Sequence, residues 1–224
     1  MSKYLDKVPF VGYSRAEEWV NSISHMVGGA FGVVVFGLCL ARGIIAKSPW
    51  YIVTGIVYSF TMIAMYSCSA VYHGLYNNNG KKAMRLVDHT MVFFLIAGTI
   101  TPYALVTLRQ ASPAIGWTLF GVAWGCTLSA AAMIFIDFQK TKTPQMILCI
   151  AEGWMVIVLI KKLYELLSPA GFFTLLAGGI CYTVGAILYG VGSKKSYFHC
   201  IFHFFVLAGS ILHFVSVFLY VYTL

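Results

Sequence analysis

Six stretches of this sequence contain no aspartate, glutamate, lysine or arginine: Trp19 to Ala41, Ser48 to Gly80, His89 to Leu108, Gln110 to Ile136, Leu166 to Ser193 and Ser196 to Leu224. Each can supply the ~20 predominantly apolar residues that cross the hydrocarbon core of a bilayer. A seventh segment, Gln145 to Ile160, has the same character but carries one acid, Glu152. Together these segments use nearly all of the 224 residues, and only 10% of the chain is charged, where a soluble domain carries about a quarter. The apolar runs are long and continuous, unlike the short alternating strands of a barrel, so backbone polar groups in lipid are satisfied by helices.

The fold expected is therefore an all-α integral membrane bundle of seven transmembrane helices, with spans near 24–46, 50–76, 86–108, 114–137, 144–162, 169–191 and 197–222. Proline marks several starts: Pro49, Pro113, Pro144 and Pro169 each fit a first helical turn. The polar run NNNGKK at 77–82 reads as a turn. Loops are short, which makes sequential helices antiparallel neighbours within a single domain, 1–224. Residues 1–23, with Glu17, Glu18 and Trp19, read as an amphipathic stretch at the cytoplasmic interface. The first apolar run follows that stretch and precedes six more, as a membrane anchor does and a cleaved signal peptide does not. Small residues such as Gly28, Gly29, Gly32 and Gly37 in the first helix, and Gly178, Gly179 and Gly185 in the sixth, suit close helix approach. The six cysteines all fall within spans, none in a CxxC pair, and read as packing residues.

The net charge of +8 forms no dense basic patch of the kind that binds nucleic acid. It reports topology instead. Lys3, Lys7, Arg15, Lys81, Lys82, Arg85, Lys140, Lys142, Lys194 and Lys195 fall on the side shared by the N-terminus and alternate loops, and Arg42, Lys47, Arg109, Lys161 and Lys162 on the other. Ten against five places the N-terminus in the cytoplasm and the C-terminus outside.

Ionisable residues inside a span are costly and face a partner or an aqueous cavity, so they map function. Here they are His25, His73, Asp88, His89, Glu152, His199, His203 and His213. The second helix ends near His73, the third begins near Asp88 and the seventh near His199, which sets Ser69, His73, Asp88, His199 and His203 at similar depth. Spacing of i, i+4 puts Ser69 and His73 on one face of the second helix, and His199 and His203 on one face of the seventh. Two such imidazoles plus a third from another helix match a zinc site with one open position, the arrangement of catalytic zinc. Asp88 is then the candidate base and Ser69 its hydrogen-bond donor. Histidines so spaced also hydrogen-bond between membrane helices, and that reading stands beside the metal. His25 and His89 are ranked as supports behind the ligands, since His89 lies about 100° around the helix from Asp88.

The stretches EEWVNSISHMVGG (17–29), SCSAVYH (67–73), LVDHTMVFFLIAGTITPY (86–103) and FHCIFH (198–203) together resemble the bacterial haemolysin III-like branch of the progestin and adipoQ receptor family. The resemblance covers essentially the whole chain. It implies a seven-helix fold with the N-terminus inside. It also implies zinc on His73, His199 and His203, with Asp88 reached through water and Ser69 beside it. The wider superfamily includes ceramidase-like enzymes, so it further implies a zinc-dependent hydrolase of a lipid amide or ester, resident in the cell membrane and acting in lipid homeostasis. Two other classes are weighed against it: a receptor or sensor in which zinc is structural, and a haemolysin or channel-like protein using Glu152 and His213.

Overall fold

The computed structural model describes the backbone of residues 2–192 and 195–223. Lys194, counted above among the basic residues of one side, falls outside them. Among the described residues every regular element is helical. Six helices are long and apolar enough to cross a bilayer, which makes this a multi-pass membrane protein. They are α1 (Arg15–Ile45), α2 (Pro49–Gly74), α3 (Asn79–Ala111), α4 (Pro113–Asp137), α6 (Pro169–Gly190) and α7 (Phe198–Val221). The expected fifth span is helical but broken: an α-helix Lys142–Trp154 passes through a 3-10 stretch Met155–Leu159 into a second α-helix Ile160–Leu166. We call this composite element α5.

Sequential helices pack side by side, and α7 closes the ring against both α6 and α1. The most enclosed is α3, with 72% of its apolar window buried against 28–50% for the others. It continues past Pro102 through a π-helical turn, Tyr103–Leu108. Proline has no N–H to give to the i−4 carbonyl, and a widened turn absorbs the lost bond. Large side chains on the outer surfaces, among them Trp19, Phe60, Ile136 and Val158, are exposed, as a lipid-facing surface requires.

Two helices begin earlier than apolar character alone predicts, because their first turns are capped by polar side chains. At α1 the Ser14 hydroxyl accepts the Glu17 N–H at 3.2 Å while the Glu17 carboxylate accepts the Ser14 N–H at 2.8 Å, a reciprocal capping box. At α3 the Asn78 side chain accepts the Lys81 N–H at 2.9 Å. Asn79, Gly80, Lys81 and Lys82 of the expected turn are thus the first turn of a helix.

The segment before α1 crosses the end of the bundle where α1 starts. The Tyr4 hydroxyl donates to the Ile134 carbonyl and accepts the Phe138 N–H, and Arg85 donates to the Pro9 carbonyl at 2.5 Å. Val8 is buried with Leu5 against Leu86, Phe93 and Ile134, so the strap is held by apolar contact as well as by hydrogen bonds.

Close packing of α1 on α2 depends on glycine. A Cβ at Gly28 would run into the Tyr66 ring and one at Gly32 into Ile63, and one at Gly43 would lie 2.9 Å from the backbone nitrogen of Ile52 and 3.1 Å from its Cα. Backbone atoms cannot turn aside, so Gly43→Ala should cost about 1–3 kcal/mol through overpacking. Gly37, which the sequence grouped with these, has nothing within 4 Å of its Cβ position. Gly37→Ala should therefore gain up to about 1 kcal/mol of helix propensity, and thermal unfolding of the two variants in detergent should move in opposite directions.

Candidate metal centre

The functional face of α1 follows from its capped start. Glu18, Asn21, Ser24 and His25 recur at three- and four-residue spacing, which puts them along one stripe. That stripe turns toward the last turn of α2 and the first turns of α7. The meeting of α1 with α7 is fixed by Glu17, whose second carboxylate oxygen accepts the Tyr197 N–H at 2.6 Å. Tyr197 adopts φ 62°, a left-handed conformation that costs a non-glycine residue about 1–2 kcal/mol. The bond from Glu17 holds that turn two residues before His199, and the Cys200 thiol adds a contact to the Glu17 carbonyl at 3.7 Å.

At this junction His73, His199 and His203 are buried at 2%, 8% and 1% exposure, and their ligand atoms all lie within 4.8 Å of one another. His199 Nε2 is 3.3 Å from His73 Nε2 and 3.1 Å from His203 Nε2. The outward nitrogens of His73 and His203 are held separately, while that of His199 has no protein partner among the described residues. His73 Nδ1 lies 2.6 Å from a Glu18 oxygen, a group that only accepts, so Nδ1 carries the proton and the Nε2 lone pair faces inward. His203 Nδ1 is 3.4 Å from the Ser24 hydroxyl, whose own proton goes to the Asn21 carbonyl at 2.9 Å. Ser24 therefore accepts from His203, and that Nε2 lone pair also faces inward.

Lone pairs meeting at these distances repel unless a proton or a cation lies among them. A tetrahedral zinc with Zn–N of ~2.0–2.1 Å places its imidazole nitrogens about 3.3–3.4 Å apart, close to what is seen. The three histidines thus form a buried group able to hold a metal ion, and the donor set fits zinc.

The other sequence candidates take distinct places. Asp88 is not a member of the three-histidine group. Its carboxylate is 14% exposed, stands beside Ser69, and lies 3.9 Å from His89 Nδ1. His89 is not a member of the group either: Nδ1 donates to the Arg85 carbonyl at 2.9 Å and Nε2 accepts from the hydroxyl of Tyr189 at 3.3 Å, whose ring packs 5.6 Å from that of His199. His25 stacks on the His203 ring at 3.7 Å between centroids and 16° between planes. Its two nitrogens, and the Asn21 amide, have no protein hydrogen-bond partner among the described residues.

Sequence reasoning passed over Glu18 and Tyr13. Glu18, read as part of an interfacial stretch, bridges His73 Nδ1 at 2.6 Å and Lys81 Nζ at 2.8 Å. Its spacing to Asn21 and His25 was the available signal. Tyr13 stacks on His199 at 4.8 Å and 15°. Burial pushes its phenol well above the usual tyrosine range, so it covers the centre as a neutral ring at ordinary pH. A cavity of about 470 Å³, lined by residues that include Tyr13, Arg15, Glu18, Tyr76 and Lys81, opens on the outer side of these two residues.

Glu152 and His213 are each bonded locally. Glu152 accepts from the Thr127 hydroxyl at 2.7 Å, and His213 Nε2 donates to the Leu175 carbonyl at 3.1 Å. Among the described residues nothing links the two, which favours helix packing over a proton relay for them. In liposomes, proton flux should not differ between the wild type and a Glu152→Gln, His213→Ala variant.

Residues 13–214 match the family described as Haemolysin-III related. The chain is 37% identical over 207 residues to Hemolysin-3 of Bacillus cereus, covering 92% of each chain. It is 31% identical to the Hemolysin-3 homolog of Bacillus subtilis (strain 168), covering 93% of this chain and 96% of that one. It is also 22% identical to the Homo sapiens monocyte to macrophage differentiation factor, over 77% of this chain and 72% of the other.

Proposed function

The chain belongs to the haemolysin-III related family, and on that premise we propose that it is a zinc-dependent hydrolase of lipid acyl bonds, amide or ester, acting in membrane lipid homeostasis. The observation that carries this reading is a converging set of three buried imidazoles, with the Asp88 carboxylate outside the set and bonded to Ser69, which lies one helical turn before His73 on the same face of α2. Ligands alone make a structural site; ligands with an uncommitted acid beside them make a site able to move protons.

His73, His199 and His203 hold the ion in this reading. Zinc bound there would polarise an acyl carbonyl and make water a better nucleophile near neutral pH. Asp88 accepts a proton from the attacking water as its oxygen bonds to the acyl carbon. The same carboxyl returns that proton to the leaving nitrogen or oxygen as the acyl bond breaks, so the products are a free fatty acid and an amine or alcohol. Ser69 steadies the Asp88 carboxylate. Tyr13, stacked on His199, covers that ligand on the side of the strap, which strengthens the electrostatics of the site.

We further infer a single seven-span domain. Helical structure from Lys142 to Leu166, at ~1.5 Å per residue, is long enough for α5 to cross as well. The basic-residue count then places the end that carries the three histidines on the cytoplasmic side. The experiment is to assay purified, zinc-loaded protein against a panel of ceramides, phospholipids and lysolipids. We expect fatty acid release that stops on chelation and returns with zinc. Full zinc occupancy with no release from any lipid would refute the hydrolase reading. The enclosure of His199 by Tyr13 favours the second reading, a receptor in which zinc only ties α2 to α7, and the Asp88→Asn variant separates the two.

A further inference from the structure

We propose that Glu18 is the positioning carboxylate of the three-histidine centre, fixing His73 with its Nε2 lone pair toward the other two imidazoles, and that Lys81 in turn fixes Glu18. The inference rests on the reading that the centre holds zinc. Glu18 sits in the first turn of α1 and reaches two other helices: one oxygen accepts from His73 Nδ1 of α2 at 2.6 Å and the other from Lys81 Nζ of α3 at 2.8 Å. Lys81 is 3% exposed and spends its remaining donors on the Tyr72 carbonyl at 3.1 Å and the Leu75 carbonyl at 2.9 Å. The ammonium is thus locked over the carboxylate by the chain that links α2 to α3.

The demand on Glu18 is for two acceptors at once, and that is what makes the assignment testable. An imidazole ligand whose other nitrogen donates to a carboxylate has its tautomer and ring plane fixed, and losing such a partner costs about 10–100-fold in metal affinity. Glutamine matches glutamate in size but offers one acceptor and one donor group. In a Glu18→Gln variant the amide NH₂ must face either Lys81, donor against donor, or His73. Facing His73, it would draw the proton off Nδ1 and put it on Nε2, where it points at the metal. No other acid is within salt-bridge distance of His73 among the described residues.

Zinc affinity is measured by competition with a chelator of known strength, and cobalt(II) absorption reports ligand geometry without reference to turnover. Glu18→Gln should weaken zinc binding by about 10–100-fold and alter the cobalt spectrum, and Glu18→Asp, which keeps two acceptors, should lie between it and the wild type. A Glu18→Gln, Lys81→Met double variant should regain most of the affinity, because the amide oxygen is then free to accept from His73. A residue that merely props the helices would not show that suppression. Wild-type affinity in Glu18→Gln, or a double variant no tighter than the single, would overturn the assignment while leaving the zinc reading intact. Wild-type protein that takes up no zinc would overturn both.

Discussion

Zinc binding should disappear from a His203→Ala variant, and with it the zinc-dependent part of the protein's thermal stability. His203 is the most enclosed of the three histidines and touches the centre from two directions, with Nε2 3.1 Å from His199 Nε2 and its ring stacked on His25. Two imidazoles remain after the substitution, too few for the three-ligand set of a catalytic zinc. The loss should exceed the ~10–100-fold expected for removing a hydrogen bond behind a ligand. In the wild type, free zinc at about 100 times its Kd should add about 2.7 kcal/mol to folding, since an ion that binds only the folded state stabilises by mass action. That increment should be absent from His203→Ala. Alanine also opens a cavity, so His203→Gln, closer in volume and still a poor ligand, is the second variant. Metal analysis of both, with melting curves taken with and without zinc, makes the check. A stoichiometric zinc in either would exclude His203 from the ligand set.

The helices were legible because lipid imposes a simple rule: a backbone out of water must close its own hydrogen bonds, and charged side chains are expelled from the span. That rule locates α2, α4, α6 and α7 within two residues, since each is bounded by a proline, a charged loop or both. It fails at starts made by polar caps. Ser14 with Glu17, and Asn78 with Lys81, extend α1 and α3 beyond their apolar cores, and a hydropathy reading gives such residues to the loops. The break in α5 at Met155–Leu159 is preceded only by Gly153, and glycine is too frequent in membrane helices to announce a break. At the centre, two of the three histidines share a helix and are joined by i, i+4 spacing, and the third was placed by counting depth from a loop. Glu18 was invisible for the opposite reason. It lies next to a capping glutamate and an exposed tryptophan, where an acid looks like ordinary interfacial polarity, and only the crossing of α1 over α2 turns it onto His73. The strap that carries Tyr13 depends on tertiary contacts, Arg85 with Pro9 and Val8 with Leu86, that no local pattern encodes.

Substituting Asp88 with asparagine should separate the hydrolase from the zinc-tied receptor. Asparagine keeps the shape of the side chain and its capacity to accept from Ser69, but it cannot carry a proton from water to a leaving group. Asp88 stands outside the three-histidine set, so the variant should keep its full complement of zinc and unfold within a few degrees of the wild type, because a near-isosteric change at a partly exposed site is ordinarily worth about 1 kcal/mol or less. Loss of a general base or acid lowers rates by about 10²–10⁴-fold, and fatty acid release should fall by that amount at unchanged metal content. Ser69→Ala, which leaves the carboxylate in place and removes only its neighbour, should show a smaller fall. If zinc serves only to tie α2 to α7, Asp88→Asn should leave biological function intact while His203→Gln abolishes it, because a structural tie needs its ligands and no base. Retained zinc with lost function in Asp88→Asn, against lost zinc with lost function in His203→Gln, is the pair of results that the hydrolase requires and the structural tie forbids.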